Sequence, residues 1–132
     1  MRPALAAGAL AAVVSGVPST AYALATGRDP LEATLAAGSL LLPRERRRGR
    51  LLLAAAPAHL ALSFGWALII ERVLPRRPSL LAGSLAGLGI AAFDLGVVGR
   101  RFPRVRALPP GPQLADHALY GATVAIVLRR RI

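Results

Sequence analysis

The chain has no cysteine, no lysine and only six acidic residues in 132. Without cysteine there is no disulfide, no thiolate nucleophile and no cysteine-ligated metal. So few carboxylates exclude the evenly charged surface that a soluble domain of this length carries on its helices. All 17 basic residues are arginine, for a net charge of +11. In a soluble chain that balance would point to nucleic acid. Here the arginines stand in blocks between apolar runs, the pattern of loops that meet anionic lipid headgroups and set topology. Nucleic acid is therefore not expected as a partner. Membrane lipids are, with Arg46, Arg47, Arg48, Arg100 and Arg101 as the headgroup contacts.

What the chain has in abundance is apolar sequence, 55% of all residues. Leu51 to Ile70 runs for twenty residues without an Asp, Glu, Lys or Arg. As a helix it spans about 30 Å, the thickness of a bilayer hydrocarbon core. Only a helix or a closed barrel satisfies its backbone polar groups in lipid. Three other stretches resemble it. The reading is an all-α integral membrane bundle forming one domain over 1–132. Its spans cover about 4–26, 51–71, 79–99 and 113–128, with a short helix over about 30–42. That helix reaches only about 20 Å and reads as a re-entrant or interfacial half-helix, with a fifth, short span as the alternative.

Small residues mark the helix contacts. Ala4, Gly8, Ala12 and Gly16 recur every four residues on the first span. Gly83 and Gly87 form a GxxxG extended by Ala91, and Gly121 shares a face with His117 and Ala125. Pro18 should kink the first span, with Ser19 or Thr20 compensating freed carbonyls. The rival reading of that span is a signal peptide cleaved near Ala21-Tyr22-Ala23 or Ala23-Leu24-Ala25; its length and the spans that follow favour a retained helix. Asp29, Pro30 and Glu32 fit the cap, first and third positions of a helix start. Leu108-Pro109-Pro110-Gly111-Pro112 reads as non-helical.

Threading four spans and a half-helix puts Arg44–Arg50 and Arg100–Arg106, with nine arginines, on one side of the membrane. Arg72, Arg76, Arg77 and Arg129–Arg131, six arginines, fall on the other. The positive-inside rule makes the first side cytoplasmic. Measured from that side, His59 lies about 12 Å deep, and Asp94, Asp116 and His117 about 6–8 Å deep. Charge in lipid costs several kcal/mol unless paired or wet. These four residues, on three spans, should therefore face the bundle interior as a polar intramembrane cluster, with Asp94 and His117 in direct or one-water reach.

Each also has a purely structural reading. Asp94 can pair with Arg101 or Arg104, Asp116 can stabilise the start of its own helix, and both histidines can bridge helices. Trp66 lies mid-span and reads as packing. Two His and two Asp have no recognised metal-ligand spacing, and adjacent Asp116 and His117 diverge by about 100° on a helix. Neither Ser63 nor Ser19 sits in a nucleophile elbow. No catalytic residue, cofactor or metal is therefore assigned.

Asp116-His117-Ala118-Leu119-Tyr120-Gly121 resembles the Asp-His-x-x-aromatic-Gly helix of small bacterial inner-membrane proteins. The first span with Gly27-Arg28-Asp29-Pro30-Leu31-Glu32 is similar to short actinobacterial membrane proteins without assigned activity. The resemblance implies a multi-pass membrane protein and supplies no reaction. The expected function is non-enzymatic, through helix packing and contacts with lipid, a second copy or a partner membrane protein. The alternative is a small transporter or proton-linked permease subunit that uses the His/Asp cluster.

Overall fold

The computed structural model describes residues 2–130, so Arg131, counted above among the six arginines, lies outside the described residues. Seven α-helices and one 3-10 turn, with no strand, make up the described residues: α1 Pro3–Val14, α2 Val17–Thr26, α3 Glu32–Leu41, α4 Arg48–Val73, α5 Leu80–Gly96, the 3-10 turn Val98–Arg100, α6 Pro103–Arg106 and α7 Pro110–Arg129. Three stretches are long and apolar enough to cross a membrane: Pro3–Thr26, Arg48–Val73 and Leu80–Arg100. The architecture is thus all-helical but richer than four spans and a half-helix. Even with α1 and α2 counted together there are six helices, because the second basic loop contains α6.

The fourth expected span is a helix, α7, but it is not among those three. Gln113, Asp116 and His117 lower its hydropathy. Its position explains how it carries them: α7 packs against α1, α2 and α5, and eight of its residues are buried. A helix wrapped by protein needs partners for its polar groups rather than an apolar surface.

α7 also starts earlier than expected. Pro110, Gly111 and Pro112 form its first turn. The first N–H groups of a helix have no intrahelical acceptor, so a proline there forfeits nothing and its φ is already helical. The reverse correction applies to α3, which begins at Glu32 rather than at Pro30. Asp29 does not cap it. Its Oδ1 instead accepts the Leu31 N–H at 2.9 Å, and Arg48 Nη2 donates to the same carboxylate at 3.0 Å. Glu32 pairs with Arg28 at 3.0 Å, so no capping box closes. Arg46, Arg47, Arg100 and Arg101 are exposed, as is Arg48 despite its bridge to Asp29.

The interior is built from small residues. α5 lies against α7 so closely that a Cβ on Gly83 or Gly87 would strike the carbonyl of Gly121 or His117, and one on Gly121 would strike that of Gly83. The first span presents Ala4, Ala7, Gly8 and Ala11. That stripe is displaced from the expected one, and Gly16 has open space beside it. Gly38 of α3 abuts the Leu51 carbonyl in the same way, a contact the sequence reading did not anticipate. The main core joins Ala7, Ala11, Ala67, Ile70, Ile90, Tyr120, Val124 and Leu128. A second cluster, Ala36, Val105 and Leu108, packs α3 against α6 and brings the ends that carry the two basic loops together. Many large apolar side chains lie outside: Val13 and Leu53 are each 79% exposed, and Val17, Leu24, Leu81, Leu85 and Val73 are exposed too.

Candidate functional site

The first span breaks at Ser15 and Gly16, just before Pro18. A break inside a helix frees carbonyls before it and N–H groups after it, and each is costly without a partner. Other helices supply those partners. His59 Nε2 donates to the Ala12 carbonyl at 2.9 Å, so Nε2 carries a hydrogen. The Ser19 N–H, in the first turn of α2, donates to Asp116 Oδ1 at 2.8 Å. Within the span, the Ser19 hydroxyl donates to the Gly16 carbonyl at 3.3 Å. Ser63 Oγ donates to the Gly8 carbonyl at 2.7 Å, and the Tyr120 hydroxyl donates to the Ser63 carbonyl.

Two expectations are corrected here. Asp116 does not stabilise the start of its own helix, because α7 begins six positions earlier at Pro110; it caps α2 from across the bundle. Asp94 does not pair with Arg101 or Arg104. It lies two residues before the end of α5, where an anion is disfavoured by the helix dipole, and its Oδ2 is 2.8 Å from His117 Nε2. His117 Nδ1 donates to the Gln113 carbonyl at 2.7 Å. That carbonyl can only accept, so Nδ1 carries hydrogen. One further proton must then lie between Nε2 and Oδ2, and the Asp94–His117 unit is neutral with one proton shared.

Beside this pair is a cavity of about 560 Å³, walled by α1 to α7. Apolar lining comes from Leu52, Leu62, Trp66, Ile90 and Phe93, with Trp66 and Phe93 meeting edge to face at a centroid distance of 5.8 Å. His59, Asp94, Asp116 and His117 all contribute to its wall. The four residues singled out from the sequence therefore border one space, although His59 and Asp116 are also engaged with the first span. Gln113 lines it too and was missed. Its signal was its rarity: it is the chain's one side-chain amide, at the mouth of an apolar run. Trp66 and Ile90 also line a second cavity of about 220 Å³, set between α4 and α5. Among the described residues no group of three or more His, Asp or Glu is placed to hold a metal ion.

No family model, no curated protein and no solved structure matches this chain.

Proposed function

We propose that the chain is a multi-pass protein of a bacterial inner membrane that acts by binding a small molecule within its bundle, without covalent chemistry. The observation that carries this reading is the 560 Å³ cavity, of the size that encloses a small organic ligand. In the proposed arrangement α7 is the fourth crossing and α3 the half-helix on the side of the two basic loops. The inverted distribution of side chains supports a lipid surround. Alanine and glycine line the closest helix contacts, while many leucines and valines are exposed, as expected where helices associate by close packing in lipid. A further contact with a second copy or a partner membrane protein would use that same exterior.

The chain's single tryptophan, Trp66, reports on the cavity directly. A neutral brominated biaryl titrated into the protein in nanodiscs should quench Trp66 saturably. Ala37→Phe, which fills the cavity from α3, should abolish the saturable phase. Quenching that rises linearly with probe in the lipid, equally in both proteins, would defeat the reading.

A proton-linked permease subunit is the second reading, favoured by the single shared proton on Asp94–His117 and by the second cavity behind Trp66 and Ile90. It requires pH-dependent flux in proteoliposomes, lost in Asp94→Asn.

A further inference from the structure

The charges around the cavity are the reverse of those of the chain. Of 17 arginines in the sequence, none lines it. Its ionisable wall is two carboxylates, Asp94 and Asp116, and two histidines, His59 and His117. Asp94 and His117 neutralise each other with their shared proton. His59 spends Nε2–H on the Ala12 carbonyl. Asp116 is 9% exposed, takes its backbone hydrogen bond from Ser19, and has no ion-pair partner among the described residues. Gln113 is 8% exposed, and its side-chain amide has no hydrogen-bond partner among the described residues, so it is open to whatever fills the space. With Asp116 ionised and His59 neutral, this wall carries one negative charge without a cationic partner, beside a side-chain amide, and Trp66, Phe93 and Tyr120 line the same space.

We propose that the cavity binds a lipophilic monocation: an ammonium, phosphonium or comparable centre carried on an apolar or aromatic body. A buried carboxylate held only by a neutral backbone N–H is costly, and a ligand cation offsets that cost. The aromatic faces add a cation–π attraction that strengthens on desolvation. An anion would meet Asp116 and find no arginine. A neutral apolar molecule would fill the space but leave the Asp116 charge unpaired and offer the Gln113 amide no hydrogen bond. The assignment rests on the binding reading above and deepens it by naming the ligand class.

Tetraphenylphosphonium and tetraphenylborate have the same shape and opposite charge, so they isolate the electrostatic part. Binding of each to the full chain would be measured by equilibrium dialysis in nanodiscs of an uncharged galactolipid. One saturable phosphonium site per chain is expected, with borate bound at least about tenfold more weakly. Asp116→Asn should weaken the phosphonium by about tenfold or more, while its amide oxygen still accepts the Ser19 N–H and holds the thermal midpoint. Absence of saturable phosphonium binding, equal affinity for both ions, or an unchanged affinity in Asp116→Asn would overturn the proposal. Should the variant fold poorly, the comparison of the two ions on the native chain decides alone. The neutral-probe experiment separates the two readings: saturable quenching of Trp66 without cation preference removes only the charge assignment, whereas loss of both removes the binding reading. Short-chain phosphatidylcholine added as a competitor then distinguishes the source of the cation. Displacement of the phosphonium assigns the site to a lipid headgroup, and its retention assigns it to a free solute.

Discussion

Gly87 and Gly89 lie two residues apart on α5, yet adding one methyl group to each should have opposite consequences. A Cβ at Gly87 would sit 2.7 Å from the His117 carbonyl carbon, closer still to its oxygen, and 3.2 Å from the Ala118 Cα. These are backbone atoms of α7 and cannot rotate away. α5 must move off α7, and the packing of Gly83 on Gly121 opens with it. Overpacking of this kind costs about 1–3 kcal/mol, and a rigid backbone on both sides places Gly87→Ala toward the upper end. At Gly89 nothing lies within 4 Å of the added Cβ. There the substitution only removes glycine's conformational freedom and should stabilise by up to about 1 kcal/mol. The two variants should therefore differ by about 2–4 kcal/mol. Equilibrium unfolding of both proteins in mixed micelles, followed by Trp66 fluorescence, measures that difference. Equal stability of the pair would refute the close approach of α5 and α7, and with it the placement of Asp94 beside His117.

Two further outcomes concern the ends of the bundle. Arg48, and after it the Leu31 N–H, holds the Asp29 carboxyl at about 2, below its ordinary 3.8. A lowered carboxylate stabilises the folded state fully above its unfolded value and loses that contribution as pH falls, so the tie between the α3 entry and α4 should persist at pH 5 and fail as the pH falls through about 2. Carboxyl NMR should find Arg48→Gln returning Asp29 toward 3.8; an unmoved midpoint would dissociate the shift from the bridge. Single cysteines at Arg47 and Arg104 should react with an impermeant thiol reagent from one face of the membrane, and cysteines at Arg76 and Arg130 from the other. Arg47 and Arg104 labelled from opposite faces would eliminate the four-crossing arrangement.

The helical architecture was legible because apolar run length and the GxxxG of Gly83 and Gly87 act through local spacing. The pairing of Asp94 with His117 was legible for a related reason. α5 ends and α7 begins at one end of the bundle, so equal distances along each helix imply equal depth. What escaped were features decided by neighbours in space. Pro110 and Pro112 look like helix breakers until one knows that they occupy a first turn, where the missing N–H has no consequence. Asp29-Pro30-Leu31-Glu32 matches a helix start, but Arg48 and Arg28 claim the two carboxylates. Apolarity alone could not separate α7 from a lipid-facing span, because its polar residues are tolerated by burial among α1, α2 and α5.

The break in the first span explains why polar residues collect in this half of the bundle. Pro18, in the first turn of α2, has no N–H to continue the ladder back to the Val14 carbonyl, and the turn at Ser15 and Gly16 frees other groups. In a medium without water those groups must be met by side chains. His59 and Asp116 meet two of them. Their positions are accounted for by folding alone, and no ligand need be invoked for either hydrogen bond. The same break places Ser15, Gly16 and Ser19 at the wall of the cavity instead of continuing a straight helix past it. Asp116 thus stands where the two demands meet, with one oxygen committed to the Ser19 N–H and a charge that the fold leaves unmatched. Alanine at this position would remove both properties together. Asparagine removes the charge and keeps the acceptor, so only that substitution can separate a carboxylate retained to cap a broken helix from one retained to hold a cation.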